Sequence, residues 1–198
     1  DVVEKHLSTR WQKPIKPLSE AVFDKIQAWL ALDQRPLILD SGCGTGLSTL
    51  HLAARYADCR VLGFDRSEVR LAKLQGQAVP ENCLILRADA DDLWRQLKSA
   101  DIRPVRHFLF FPNPYPKSAQ LNQRWHGSPV FPYLVGLGGV LEVRSNWKTY
   151  LDELAIALRL AAGIEVAVDA YVPTLPFSRF EAKYHASGHP LWRLSADL

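Results

Sequence analysis

Three glycines at alternate positions, Gly42, Gly44 and Gly46, follow the acid-ended apolar run Leu37-Ile-Leu-Asp40 and precede Leu47-Ser-Thr-Leu-His-Leu-Ala-Ala. Glycine lacks a Cβ, so such a stretch turns sharply and lets its backbone approach a ligand closely. A helix starting directly after the turn adds unpaired N–H groups. The chemistry that suits this order of strand, turn and helix is the cradling of a nucleotide-like ligand. The spacing is not that of dinucleotide binders, and no Gly-Lys-Ser/Thr follows as a P-loop requires. A plain tight turn would use the same residues.

Two further acids sharpen the reading. Asp65 ends Arg60-Val-Leu-Gly-Phe-Asp65, 25 positions after Asp40, where a carboxylate can accept from both hydroxyls of a ribose. Asp89 ends Cys83-Leu-Ile-Leu-Arg-Ala-Asp89 and adjoins Ala90, a place from which it could accept from an adenine amino group. Either acid could instead cap a helix. Taken with the glycines they describe an adenosine pocket, and no partner for a 2′-phosphate or a nicotinamide is evident. Further along, Asn113-Pro-Tyr115-Pro-Lys117 sets a ring that can stack on a base beside a cation that can meet a phosphate. Its alternative is a rigid proline-fixed loop with a surface lysine.

The elements that must carry these residues alternate. Short apolar runs at 37–40, 60–65, 83–89, 105–112 and 139–146 are separated by helical patterns at 47–56, from Ser67 to Leu74, at 92–100 and about 129–137. Such alternation argues for an α/β domain, a doubly wound and mostly parallel sheet with helices on both faces. Near-continuous apolar strands indicate burial on both sides, and ligands in such sheets sit beyond the strands' carboxyl ends. An amphipathic helix over 18–30, with Ser19 as its cap, precedes the first strand, and residues 1–17 read as an irregular basic arm. A strong helix at 147–161 follows the fifth strand. The end reads as two strands, 164–172 and either 180–186 or 189–194. One domain spans 1–198, in a seven-stranded sheet.

Composition narrows the functional classes. The chain has 198 residues, 47% hydrophobic and 23% charged, with a net charge of +3, ordinary for a globular domain. No apolar run reaches the roughly 18–20 residues of a membrane span, and no signal-peptide pattern opens the chain. It starts at Asp1 without a methionine, so a preceding segment is expected. Cys43, Cys59 and Cys83 lie in or beside strands with no C-x-x-C pair, which points to reduced thiols and the cytoplasm. The six histidines show no metal-like spacing. Between Asp101 and Glu142 there is no acid, while Arg103, Arg106, Lys117, Arg124, His107 and His126 lie there, and the arm adds Lys5, Arg10, Lys13 and Lys16. This is either a solvated basic face or the footprint of an anionic partner such as tRNA or another RNA. Trp11, Trp125 and Trp147 could meet bases, whereas Trp29, Trp94 and Trp192 sit on apolar stripes. Monomer and homodimer are equally open.

From about Pro36 onward the chain resembles a class I S-adenosylmethionine-dependent methyltransferase, and more closely the tRNA (guanine-N7)-methyltransferase family. Leu39-Asp-Ser-Gly-Cys-Gly-Thr-Gly46 is similar to that family's cofactor loop, Gly63-Phe-Asp65 to its ribose-binding acid and Arg87-Ala-Asp89-Ala90 to its adenine-side motif. Phe111-Pro-Asn113-Pro-Tyr115-Pro-Lys117 resembles its Pro-Asp-Pro-Trp-Pro-Lys signature, Ser145-Asn146-Trp147 its Thr-Asp element, and Ser178-Arg-Phe-Glu181 its Thr-x-Phe-Glu. The resemblance implies S-adenosyl-L-methionine as cofactor, held by Asp40, Gly42, Gly44, Gly46, Asp65, Arg66, Asp89 and Ala90. It implies Asn113 at the catalytic position, and Tyr115, Lys117, Asn146, Ser178, Arg179 and Glu181 toward the substrate. Two family aspartates are asparagine here, Asn113 and Asn146, and Ser118–His126 replaces a histidine- and arginine-rich run. Methylating guanine N7 builds positive charge, so losing two carboxylates could cost about 3 kcal/mol, roughly a hundredfold in rate. Asn113-Pro-Tyr-Pro also resembles, in altered order, the motif of enzymes that methylate exocyclic amines, and a non-catalytic cofactor- or RNA-binding paralogue would tolerate both asparagines.

Overall fold

The computed structural model describes residues 2–198. Seven strands form one sheet: β1 (Leu37–Ser41), β2 (Arg60–Asp65), β3 (Cys83–Arg87), β4 (Arg106–Phe110), β5 (Val140–Ser145), β6 (Val168–Tyr171) and β7 (Leu191–Asp197). Their spatial order is β3-β2-β1-β4-β5-β7-β6. The first five run parallel, and β7 lies antiparallel between β5 and β6. β1 and β2 are buried at every position, as their unbroken apolar runs require of strands covered on both faces. The chain order reverses on either side of β1, so the carboxyl ends of β1, β2, β3 and β4 open on a common crevice.

The helices are α1 (Val2–Ser8), α2 (Pro17–Leu30), α3 (Leu47–Arg55), α4 (Glu68–Leu71), α5 (Ala90–Ser99), α6 (Phe131–Gly136), α7 (Lys148–Ala162) and α8 (Arg179–Ala186). α1, α2, α5, α6 and α7 pack on one another over the larger core, which holds Leu39, Leu62, Trp94, Leu134 and Leu158. On the other side α3 sets Leu52 and Ala53 against Ile38, Val61 and Phe108. No helix among the described residues is long and apolar enough to cross a membrane. All three cysteines are free, Cys43 and Cys83 buried.

Three expectations need correction. The arm is not wholly irregular: α1 forms because Val3 finds an apolar seat against the larger core. Ser19 does not cap α2. Pro17 at the first turn begins that helix, as proline's fixed φ and missing N–H allow, and the Ser19 hydroxyl instead donates to Asp92 Oδ2 at 2.7 Å. Residues 180–186 are helical, with Ser178 capping α8 by accepting from Glu181 N, and the final strand is the alternative stretch, extended to Asp197.

One buried polar group ties the sheet to the helical layer. His107 on β4 is fully buried, its Nε2 2.7 Å from Ser41 Oγ, which also accepts from Trp94 Nε1 at 3.1 Å. Burial pushes its pKa down to about 3. A histidine held below its unfolded value of about 6.5 contributes stability above that pH and loses it as pH falls toward 3. Acidification from pH 7 to pH 4 is therefore expected to cost about 3 kcal/mol through this residue. His107→Gln keeps a nitrogen toward Ser41, so thermal unfolding at the two pH values should show a smaller acid loss in the variant. Parallel pH dependences would refute the assignment.

Candidate active site

The turn between β1 and α3 is pinned from both sides. Gly42, Gly44 and Gly46 adopt φ of +75°, +62° and +81°, the left-handed region that glycine enters without penalty. The N–H groups of Gly42 and Cys43 donate to the Phe64 carbonyl at 2.8 and 3.0 Å, and Gly44 N donates to Asp65 Oδ2 at 3.0 Å. Asp65 Oδ1 accepts from Ser67 N at 2.8 Å. On the helix side Asp40 Oδ2 accepts from the hydroxyls of Ser48 at 2.6 Å and Thr49 at 2.7 Å. Asp40 is fully buried, and desolvation, against the pull of those hydroxyls, pushes it up to about 6. Gly63 lets α3 come this close: a Cβ there would lie 2.1 Å from Thr49 Oγ1.

Beyond the turn lies a cleft of about 930 Å³. Of the residues expected at the cofactor, Gly42, Gly44, Asp65, Arg66, Asp89 and Ala90 line it, and of those expected at the substrate, Asn113, Tyr115, Ser178 and Arg179 line it too. Five cations (Lys13, Arg66, Arg70, Lys73, Arg179) and three carboxylates (Asp65, Asp89, Asp91) face it. Asp40 and Gly46 are buried, Asp40 fully and Gly46 at the start of α3, outside the lining. Lys117, Asn146 and Glu181 also lie outside it.

Asp89 is already engaged. It caps α5, accepting from Asp91 N at 3.3 Å, and pairs with Lys16 Nζ at 2.6 Å. Burial draws its pKa upward, but the hydrogen bond and charge of Lys16 outweigh burial and hold the carboxyl below its ordinary value. Both readings offered for this acid therefore meet in one residue, which caps a helix and faces the cleft.

The loop after β4 is strained. Phe111 and Tyr115 have φ of +52° and +45°, which costs side-chain-bearing residues about 1–3 kcal/mol each unless the surroundings hold them. Phe111 N donates to the Arg144 carbonyl at 2.8 Å. The Tyr115 carbonyl accepts from Arg124 Nε at 3.1 Å and Nη2 at 2.9 Å. Arg124 is buried, ion-paired with Glu153, and 4.9 Å from the Trp147 ring centroid. His126 Nε2 lies 3.1 Å from the same Glu153 carboxylate. Two residues expected on a basic face, Arg124 and His126, are thus interior supports of the loop. Trp125, which lines the cleft, packs its ring against Trp94 with centroids 4.7 Å apart, and its backbone N–H donates to the hydroxyl of buried Tyr150. No sequence signal pairs Arg124 with Glu153, 29 residues away on α7.

Glu181, expected toward the substrate, is fully buried. Its carboxylate accepts from Arg144 Nη1 at 2.8 Å, Phe177 N at 2.5 Å and the Tyr171 hydroxyl. That arrangement fixes the segment which carries Ser178 and Arg179 into the cleft.

The strand order, the glycine turn at the reversal and the acids on the next two strand ends define a class I methyltransferase fold. Solved structures share it: the 16S rRNA methyltransferase KamB at a TM-score of 0.65 and 19% identity, over 94% of this chain and 96% of that one, and an antibiotic-related methyltransferase at 0.63 and 19%, over 88% and 93%. The chain belongs to the family described as "Putative methyltransferase", whose model matches residues 34–194. Similar curated proteins bear the name tRNA (guanine-N(7)-)-methyltransferase. That of Ectopseudomonas mendocina is 29% identical, over 80% of this chain and 71% of the relative. That of Neisseria gonorrhoeae strain NCCP11945 is 26% identical, over 96% and 86%. The chain spans 65% of the relative from Paraburkholderia xenovorans, at 26% identity.

If Arg124 holds the strained loop, replacing its fork with an ammonium should release it. Arg124→Lys is expected to speed amide exchange at Phe111, Lys117 and Gln120, whose N–H groups are hydrogen-bonded at the ends of the loop, at least tenfold while the turn at 42–46 keeps its protection. Unchanged exchange in the loop would show that the prolines alone fix it.

Proposed function

We propose that this protein transfers a methyl group from S-adenosyl-L-methionine to an RNA base, with guanine N7 of a tRNA as the favoured target. The observation that carries the reading is continuity: one cleft joins the glycine turn and Asp65 to Asn113 and Tyr115. The residues fit the cofactor. A Cβ on Gly42 or Gly44 would meet nothing within 4 Å, so the turn is open to a ligand. Each Asp65 oxygen accepts one backbone N–H, and Oδ2 also lies 3.7 Å from Arg70 Nη1; each oxygen keeps a lone pair for a ribose hydroxyl. Bound there, the cofactor supplies an electrophilic methyl on a sulfonium. Gly42, Gly44, Asp65, Arg66 and Ala90 would hold it, and Asp89 would join them by exchanging Lys16 for the adenine edge. The relatives' names favour tRNA over other RNAs, and the free cysteines suit the cytoplasm.

The remaining work is positioning. Tyr115 stacks on the base, and Asn113, exposed and without a side-chain hydrogen bond among the described residues, accepts from the N1–H or the 2-amino group. Holding the ring nitrogen in line with the methyl supplies rate through orientation and exclusion of water. The same free amide suits an exocyclic amine, which is the second reading.

Titration calorimetry with S-adenosylmethionine should show binding, and labelled cofactor with bulk tRNA should yield 7-methylguanosine on nucleoside mapping. Asn113→Asp restores a carboxylate beside the developing cation and is expected to raise kcat about tenfold to a hundredfold. A methylated exocyclic amine would select the second reading. Absence of cofactor binding would overturn both.

A further inference from the structure

Resting on the RNA reading above, we infer that the open face of the sheet beside the cleft binds the phosphate backbone of the substrate RNA. On the α3 side, a groove of about 470 Å³ runs over β4, β5, β7 and β6. Arg55, Arg144, Arg193 and a single carboxylate, Glu142, line it with Tyr56 and Phe177 among the aromatic residues.

The charge placement asks for an anion. Arg144 and Arg193 stand directly opposite in the β5–β7 register, and like charges so placed repel. Arg144 is neutralised by Glu142 at 2.7 Å and Glu181 at 2.8 Å. Arg193 is exposed and its guanidinium has no ion pair or hydrogen bond among the described residues, even though Asp169 lies opposite it on β6. Arg55 is likewise exposed and has no ion pair among the described residues; its guanidinium lies 5.9 Å from the Tyr56 centroid and 5.7 Å from that of Phe177. Arg106 also stands near the Tyr56 ring, at 5.7 Å from its centroid, and has no ion pair among the described residues. A guanidinium stacked on an aromatic face keeps its N–H fork free for phosphate.

Position points the same way. Phe177 lines the groove, and Ser178, Arg179 and Phe180, the next three residues, line the catalytic cleft. A strand whose base enters the cleft would cross this segment and lay its flanking phosphates along the arginines. The cations that the sequence alone offered to RNA are in part spent: Arg124 on Glu153, Arg103 on Asp101 and Lys16 on Asp89.

The test is tRNA binding by fluorescence anisotropy across a salt series, for the parent and for Arg55→Glu with Arg193→Glu. At about 0.1 M salt the double variant is expected to bind tRNA ten- to a hundredfold more weakly, with a log–log salt slope shallower by about 2. Cofactor affinity, melting temperature and kcat at saturating tRNA should be unchanged. The pair Arg55→Gln and Arg193→Gln should show a smaller loss in the same direction, which separates charge from misfolding. A parent that binds tRNA while the double variant binds it equally well overturns the groove and leaves the RNA reading standing. A parent that binds no tRNA overturns both. Loss confined to a polyglutamate probe would make the occupant an acidic polypeptide and overturn the proposal.

Discussion

The cleft exists because one glycine turn is held rigid by two carboxylates that approach it from different strands. Asp65, at the end of β2, takes the Gly44 N–H, while Asp40, at the end of β1, takes the hydroxyls of Ser48 and Thr49 on α3. Removing water from Asp40 is costly, and that cost, with the nearby charge of Asp65, appears as its raised pKa. These bonds hold the turn in place from both strands before any ligand arrives, and a site ordered in advance has less ordering cost on binding. Gly63 belongs to the same device, because only a missing side chain lets Thr49 reach down to Asp40.

The two halves of the cleft are rigidified by different means. On the cofactor half glycines absorb the unusual backbone angles without strain. On the substrate half Phe111 and Tyr115 carry positive φ with full side chains, and buried ion pairs hold the backbone there. Arg124 with Glu153 fixes the loop, and Arg144 with Glu181 fixes the start of α8. Buried pairs of this kind contribute little net stability against hydrophobic isosteres, yet losing one partner is severe. Their value here is in specifying a single geometry for Tyr115 and Ser178.

The order of elements could be read from the sequence because the strands advertise themselves as apolar runs with acid ends. The glycine turn, Asp65 and Asp89 follow from position along those runs, and the sheet brings all of them to one cleft. What could not be read depends on pairings distant in sequence. Arg124 looked like a surface cation because its neighbours carry no acid, and its partner is on α7. Glu181 looked like a substrate contact because it ends a motif, although its oxygens are spent on Arg144, Tyr171 and the backbone of Phe177. Residues 180–186 alternate enough to suggest a strand, and the Ser178 cap decided for helix.

Charge within the cleft is divided unevenly, and the division bears on chemistry. Every carboxylate of its lining, Asp65, Asp89 and Asp91, stands on the β2 and β3 side, where the cofactor is proposed to bind. The substrate half, from Phe111 to Ser128, contributes none. The nearest acids behind it, Glu153 and Glu181, are neutralised by arginines. Asn146, the second departure from the family pattern, lies off the cleft, so the missing charge is felt chiefly at Asn113. A purine that becomes cationic there would meet the face of Tyr115 and the carbonyl dipole of Asn113, worth about 1–2 kcal/mol together, where a carboxylate would offer more. Under the proposed reading, with so little electrostatic help, turnover rests on how tightly the base is held in line with the methyl. That places the demand on the strained loop and on the arginine that keeps it in shape.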